Sequence, residues 1–80
     1  MKVAVLKGGR SFEREVSLRS GARVEDALDR RGHEVCAIDV SASLVRDLRQ
    51  CGAEAAFVAL HGAEGEDGSV QEVLELLGIP

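Results

Sequence analysis

The feature that most constrains this chain is a run of four apolar residues, Val3-Ala-Val-Leu6, stopped by the glycine pair Gly8-Gly9. A strand with one wet face alternates apolar and polar residues. A run without alternation suits a strand covered on both faces, as in a parallel sheet. Parallel neighbours cannot be joined by a tight hairpin, so the segment that follows should cross over as a helix. The pattern agrees: Ser11 is a natural N-cap, and Val16, Ser20, Val24, Ala27 and Leu28 recur at spacings of three and four. Arg30 and Arg31 suit the negative end of the helix dipole, and Gly32 supplies the stop.

The unit then recurs in looser form. Glu34 to Val40 reads as a second strand, followed by a serine-rich turn at Ser41-Ala-Ser43. Leu44, Val45, Leu48 and Cys51 pattern a short helix that Gly52 closes. Ala55 to Leu60 reads as a third buried strand, followed by a turn region from His61 to Ser69 with three glycines and three acids. Ser69 with Glu72 forms a capping box, and Val70, Val73, Leu74 and Leu77 give the apolar face of a last helix ended by Gly78. Ile79-Pro80 reads as the start of another strand or an extended linker. Alternating strands and helices predict an α/β fold, Rossmann-like, with three layers and a mostly parallel sheet joined by right-handed crossovers. Three strands and a stub are few for such a sheet, so the chain is expected to be a fragment of something longer.

Composition removes several function classes. With 45% hydrophobic and 30% charged residues a core is feasible, and only Phe12 and Phe57 are aromatic, so that core must be aliphatic. The net charge is −4 and the basic residues are scattered, which leaves neither a phosphate-tracking stripe nor an aromatic platform for bases. No nucleic-acid partner is expected. No apolar run approaches the ~20 residues of a membrane span, so no membrane partner is expected. No secretory signal precedes the first strand, so Cys36 and Cys51 are expected to be a reduced pair in the cytoplasm.

Two turns could carry chemistry, because ligands of open α/β sheets bind at the carboxyl ends of the strands where strand order reverses. The first runs from Lys7 to Glu15. Its glycine pair before a helix could cradle an anion, although it matches no established phosphate-binding spacing. Glu13 and Glu15, in the first helical turn, either complement the helix dipole or hold a ligand ammonium or a cation. The second turn holds His61, Glu64, Glu66 and Asp67. His61 either bonds a loop carbonyl or contacts a ligand carboxylate or phosphate. The acids fit no calcium-loop spacing, and no metal site is expected. Spacing leads to a ligand-binding α/β unit and does not name the ligand.

Two longer stretches do. Gly8-Gly-Arg-Ser-Phe-Glu-Arg-Glu-Val-Ser-Leu-Arg-Ser-Gly21 resembles the amino-terminal signature of the D-alanine–D-alanine ligases, a glycine pair followed by Ser-x-Glu-[Arg/His]-Glu-Val-Ser. Phe57-Val-Ala-Leu-His-Gly-Ala-Glu-Gly-Glu-Asp-Gly-Ser-Val-Gln71 resembles their second hallmark, Leu-His-Gly-x-x-Gly-Glu-Asp-Gly. Leu74-Glu-Leu-Leu-Gly-Ile-Pro80 matches the segment that follows. The resemblance implies that residues 1–80 are the N-terminal substrate-binding domain, of pre-ATP-grasp type, of a three-domain cytoplasmic enzyme. ATP and Mg2+ would be bound by ATP-grasp domains outside this chain.

The implied reaction phosphorylates one D-alanine carboxylate. The amine of a second D-alanine then attacks the acyl phosphate, giving a dipeptide for peptidoglycan and so for cell-wall biogenesis and cell shape. By position in the motif, Glu13 corresponds to the catalytic glutamate that holds the ammonium of the first D-alanine. Val16 would lie near the substrate methyl and His61 near the reacting carboxyl. Glu15 stays undecided between scaffold and site. The implied partners are D-alanine, the remaining domains and, at full length, a second copy in a homodimer. Glu72 departs from the glycine that many relatives carry there, which points to an exposed helix face.

No glycine-rich ATP-grasp loop, nucleotide-binding lysine or magnesium carboxylate is present, so the segment alone is expected to be inactive. Two other readings compete: a domain of the related D-alanine–D-lactate or D-serine ligases, and a stand-alone α/β ligand-binding module.

Overall fold

The computed structural model describes residues 1–9, 13–60 and 69–80. Among these, the elements run β1 (Lys2–Lys7), α1 (Arg14–Arg30), β2 (Glu34–Asp39), α2 (Leu44–Cys51), β3 (Ala55–Val58) and α3 (Ser69–Leu76). The three strands form one sheet in the order β2-β1-β3, and both pairings are parallel. Val3, Ala4, Val5 and Leu6 are all buried because β1 is the central strand and both of its faces are covered. This is the environment that a run without alternation requires. The carbonyl of Pro80 accepts a 3.0 Å bond from the amide of Ala56, which brings the chain end beside β3 without forming a fourth strand among the described residues.

The two faces are built differently. On one, Ala4, Leu6 and Ile38 meet Leu44, Leu48 and Cys51 of α2 and Val70 and Leu74 of α3. Leu48 is 1% exposed there, and a fully buried leucine contributes about 1.5–3 kcal/mol. The expected faces of α2 and α3 are those observed, apart from Val45, which is 39% exposed. Glu72 is exposed, as expected. The expected capping box depends on the Ser69 side chain, which lies outside the described residues.

The other face receives α1 at short range. Its buried residues are Ser17 and Gly21, with Leu18, Ser20, Val24, Glu25 and Leu28 half-buried. Two residues expected on the buried face, Val16 and Ala27, are exposed. The reason is steric. A Cβ on Gly21 would stand 2.8 Å from the Cβ of Lys7, closer than carbon atoms pack, so only glycine lets the helix approach so near. Small residues face the sheet, and the larger apolar ones are rotated to the flanks. The stem of Lys7 lies along this contact, and its Nζ is 2.7 Å from Glu25 Oε2 in a half-buried ion pair.

Two further expectations need correction. Ser11 lies outside the described residues, but α1 begins only at Arg14 and its N-cap residue is Glu13. The third strand is not buried on both faces: Phe57, opposite Val5 in the register, is 47% exposed, because α1 packs on β1 and β2 and leaves that face of β3 uncovered.

Leu48→Ala should lower the unfolding free energy by about 2–5 kcal/mol, the cost of emptying a core position, measured by urea denaturation. Gly21→Ala should lower stability by about 1 kcal/mol even though alanine is the better helix former. Overpacking against Lys7 costs about 1–3 kcal/mol and the propensity gain is about 1. A raised denaturation midpoint would show that the helix is not so close.

Candidate functional site

Parallel strands present their carboxyl ends at one edge of the sheet. In the order β2-β1-β3 the chain leaves β1 toward β2 and later returns to the opposite side for β3. The reversal falls between β1 and β3, the position at which such sheets bind ligands. By that rule the carboxyl ends of β1 and β3 mark the expected ligand position.

Among the described residues of the turn after β1, Gly8 and Gly9 are held by side chains of neighbouring elements. Gly8 and Gly9 have φ of 79° and 80°, which a residue with a Cβ adopts only with strain. A Cβ on Gly8 would also fall 2.3 Å from Asp39 Oδ1. The Gly8 N–H donates to Ser17 Oγ at 2.9 Å, and the Gly9 N–H donates to Asp39 Oδ1 at 3.4 Å. The Gly9 carbonyl accepts from the Arg14 guanidinium at 3.1 Å. These amides are thus committed within the protein, and the anion cradle suggested by the glycine pair is not formed by them.

Arg14 and Asp39 pair through two bonds, 2.7 Å from Nη1 to Oδ1 and 2.5 Å from Nη2 to Oδ2. This forked geometry matches guanidinium to carboxylate. The hydrogen bond from Arg14 holds the Asp39 carboxyl below the usual carboxylate range, and Asp39 in turn raises Arg14. Both side chains are about half exposed, 44% and 49%, so the pair fixes geometry more than it adds stability.

The first turn of α1 rises from this support. Glu13 is the N-cap residue, exposed, with φ −95° and ψ 20°, and its carbonyl accepts the Ser17 N–H at 2.9 Å. Val16 is 42% exposed at the same end of the helix. Glu15, also exposed, complements the dipole of the first turn. Ser17 is fully buried, and its hydroxyl donates to the Ala59 carbonyl at 2.5 Å. Ala59 follows β3 directly, so one side chain joins the α1 start, the β1 turn and the β3 end.

Glu13 and Val16 therefore share one helix end, next to the segment that leads into His61. His61 itself and the acids Glu64, Glu66 and Asp67 lie outside the described residues. Among the described residues no group of three or more His, Cys, Asp or Glu could hold a metal ion. Cys36 and Cys51 are free thiols, and burial first, then Cys36, pushes the Cys51 thiol up to about 11. Cys51 is thus a neutral thiol in the core, consistent with a small hydrophobic residue.

Sequence reasoning missed Ser17, Arg14 and Asp39. One signal could have found the first: Ser17 and Gly21 are small residues four apart, hence on one helical face. Asp39 ends β2 and meets Arg14 only because β2 lies beside β1, with Lys7 opposite Asp39 in the register.

A family model described as the D-ala D-ala ligase N-terminus matches residues 2–48. The D-alanine–D-alanine ligase of an Anaeromyxobacter species is 62% identical over 79 residues, 99% of this chain and 26% of the relative. That of Desulforudis audaxviator is 58% identical with the same coverage. Among solved structures, the Bacillus anthracis D-alanine–D-alanine ligase complexed with ATP superposes with a TM-score of 0.84 at 38% identity, covering 100% of this chain and 28% of that one. A second structure of the Bacillus anthracis enzyme gives 0.82 at 39% identity. The chain thus spans about a quarter of the length of the relatives it matches. The α/β unit described above belongs to the family of D-alanine–D-alanine ligase N-terminal domains.

Proposed function

We propose that this domain positions the first D-alanine in an ATP-dependent D-alanine–D-alanine ligase, with the Glu13 carboxylate receiving the substrate ammonium. The observation that carries the reading is the exposed Glu13 at the N-cap of α1, above the β1–β3 reversal. A helix start stapled to the sheet is a rigid support. A carboxylate there can pair with an ammonium and aim the attached carboxyl group in a fixed direction, which is a contribution of orientation. Val16, exposed one turn along, supplies an apolar surface suited to the substrate methyl. His61, two residues after Ala59, is proposed to meet the reacting carboxyl.

ATP would supply the activation of that carboxyl. The described residues do not fit ATP or Mg2+: the Gly8 and Gly9 amides are engaged internally, and no metal-binding cluster is present among them. Both are therefore proposed to bind domains beyond this segment. That proposal is supported by the quarter-length match to the relatives and by the ATP complex of the Bacillus anthracis enzyme. Among the described residues no helix is long and apolar enough to cross a membrane. The same reading includes a cytoplasmic enzyme, a homodimer at full length and a product destined for the cell wall.

In the whole ligase polypeptide, Glu13→Ala should lower kcat/KM for D-alanine by about 100-fold or more, the size expected when a positioning group is lost. Near-native turnover would remove Glu13 from the site. Residues 1–80 alone should form no D-alanyl-D-alanine when supplied with D-alanine, ATP and magnesium, as followed by chromatography of the product. Measurable dipeptide would refute the division of labour between domains.

A further inference from the structure

Ser17 is the one fully buried polar residue among the described residues. Its placement is specific. A hydroxyl offers one donor and two acceptor sites. The donor is spent on the Ala59 carbonyl at 2.5 Å and an acceptor on the Gly8 amide at 2.9 Å, residues that are 51 positions apart in sequence. The Ser17 amide closes the first helical bond onto the Glu13 carbonyl at 2.9 Å.

The contacts around this hydroxyl come from three directions. Gly8 leads into the turn before Glu13, Ser17 is one helical turn after it, and Ala59 leads toward His61. Strand pairing alone does not fix these relations. The bond from the Ala59 amide to the Leu6 carbonyl, 2.8 Å, is the last link between β1 and β3, and the Val40 amide to the Lys7 carbonyl, 2.9 Å, is the last between β1 and β2. Above that level the Ser17 hydroxyl ties the end of β3 to α1, and the Arg14–Asp39 pair ties β2 to it.

We infer that Ser17 is a positioning residue for the ligase reaction, setting the Glu13 carboxylate against the segment after β3 through its two hydroxyl bonds. The inference rests on the proposed role of Glu13. Ser17 touches neither substrate nor reacting atoms. It ties the helix start that carries Glu13 to the end of β3, two residues before His61 in sequence. A misplacement of about 1 Å between two such groups can cost on the order of 100-fold in rate.

The test is a double-mutant cycle in the whole ligase polypeptide, with Ser17→Ala, Glu13→Ala and the double variant compared by kcat/KM for D-alanine. Ser17→Ala should cost about 10- to 100-fold when Glu13 is present, and the same change should cost less than about 3-fold when Glu13 is already alanine. Ser17→Cys, which keeps a weak donor and acceptor on a side chain of similar shape, should recover part of the loss, and it serves in place of Ser17→Ala if that variant does not fold. Equal losses in both Glu13 backgrounds would show that Ser17 only stabilises the fold, overturning the inference while leaving the role of Glu13 intact. Near-native activity of Glu13→Ala alone would overturn the Glu13 reading and this inference with it.

Discussion

A single buried hydroxyl links the parts of this domain that must agree in position. Ser17 lies where the first turn of α1 crosses the carboxyl ends of β1 and β3, fully out of water, with its donor on Ala59 and an acceptor on Gly8. Buried polar groups are costly when unpaired and restrictive when paired. Here the cost is met by two backbone groups, the Gly8 amide and the Ala59 carbonyl. The hydroxyl can be satisfied in one arrangement of helix and strands, so it defines that arrangement.

Several other features follow from the same close approach. The helix can come near enough for the serine to reach both strands because Gly21 lets it rest on the Lys7 stem. Gly8 and Gly9, which leave β1 beside this contact, both have positive φ. The Gly9 amide is taken by Asp39 and the Gly9 carbonyl by Arg14. Arg14 is thereby engaged with Asp39, while Glu13, its sequence neighbour, stands exposed at the helix start. The Gly8 and Gly9 amides, which look in isolation like an anion cradle, are bonded within the protein.

Much of the architecture was legible because it rests on patterns with a direct physical cause. The unbroken apolar run at Val3–Leu6 announced a central parallel strand, and the faces of α2 and α3 followed from their spacing. Apolar spacing alone places the buried face of α1 roughly one residue away from the face observed. At a contact this close, size decides instead, and Ser17 and Gly21 displace Val16 and Ala27 from the interface. Phe57 was misplaced for a related reason, since a run of apolar residues does not reveal that α1 leaves one face of its strand uncovered. Glu13 and Val16 stand out only through the motif they share with the ligases, and both lie exposed at the start of α1. The Arg14–Asp39 pair was not legible, because it joins residues 25 positions apart that only the strand register brings together.

Amide hydrogen exchange in the intact protein addresses the Ser17 bridge most directly, since Gly8 lies past the end of β1 and its N–H has the serine hydroxyl as its partner. The account predicts that the Gly8 amide exchanges as slowly as the buried β1 amides and becomes fast in Ser17→Ala while those of Val5 and Leu6 stay protected. A Gly8 amide that already exchanges at an unprotected rate in the native protein would contradict it.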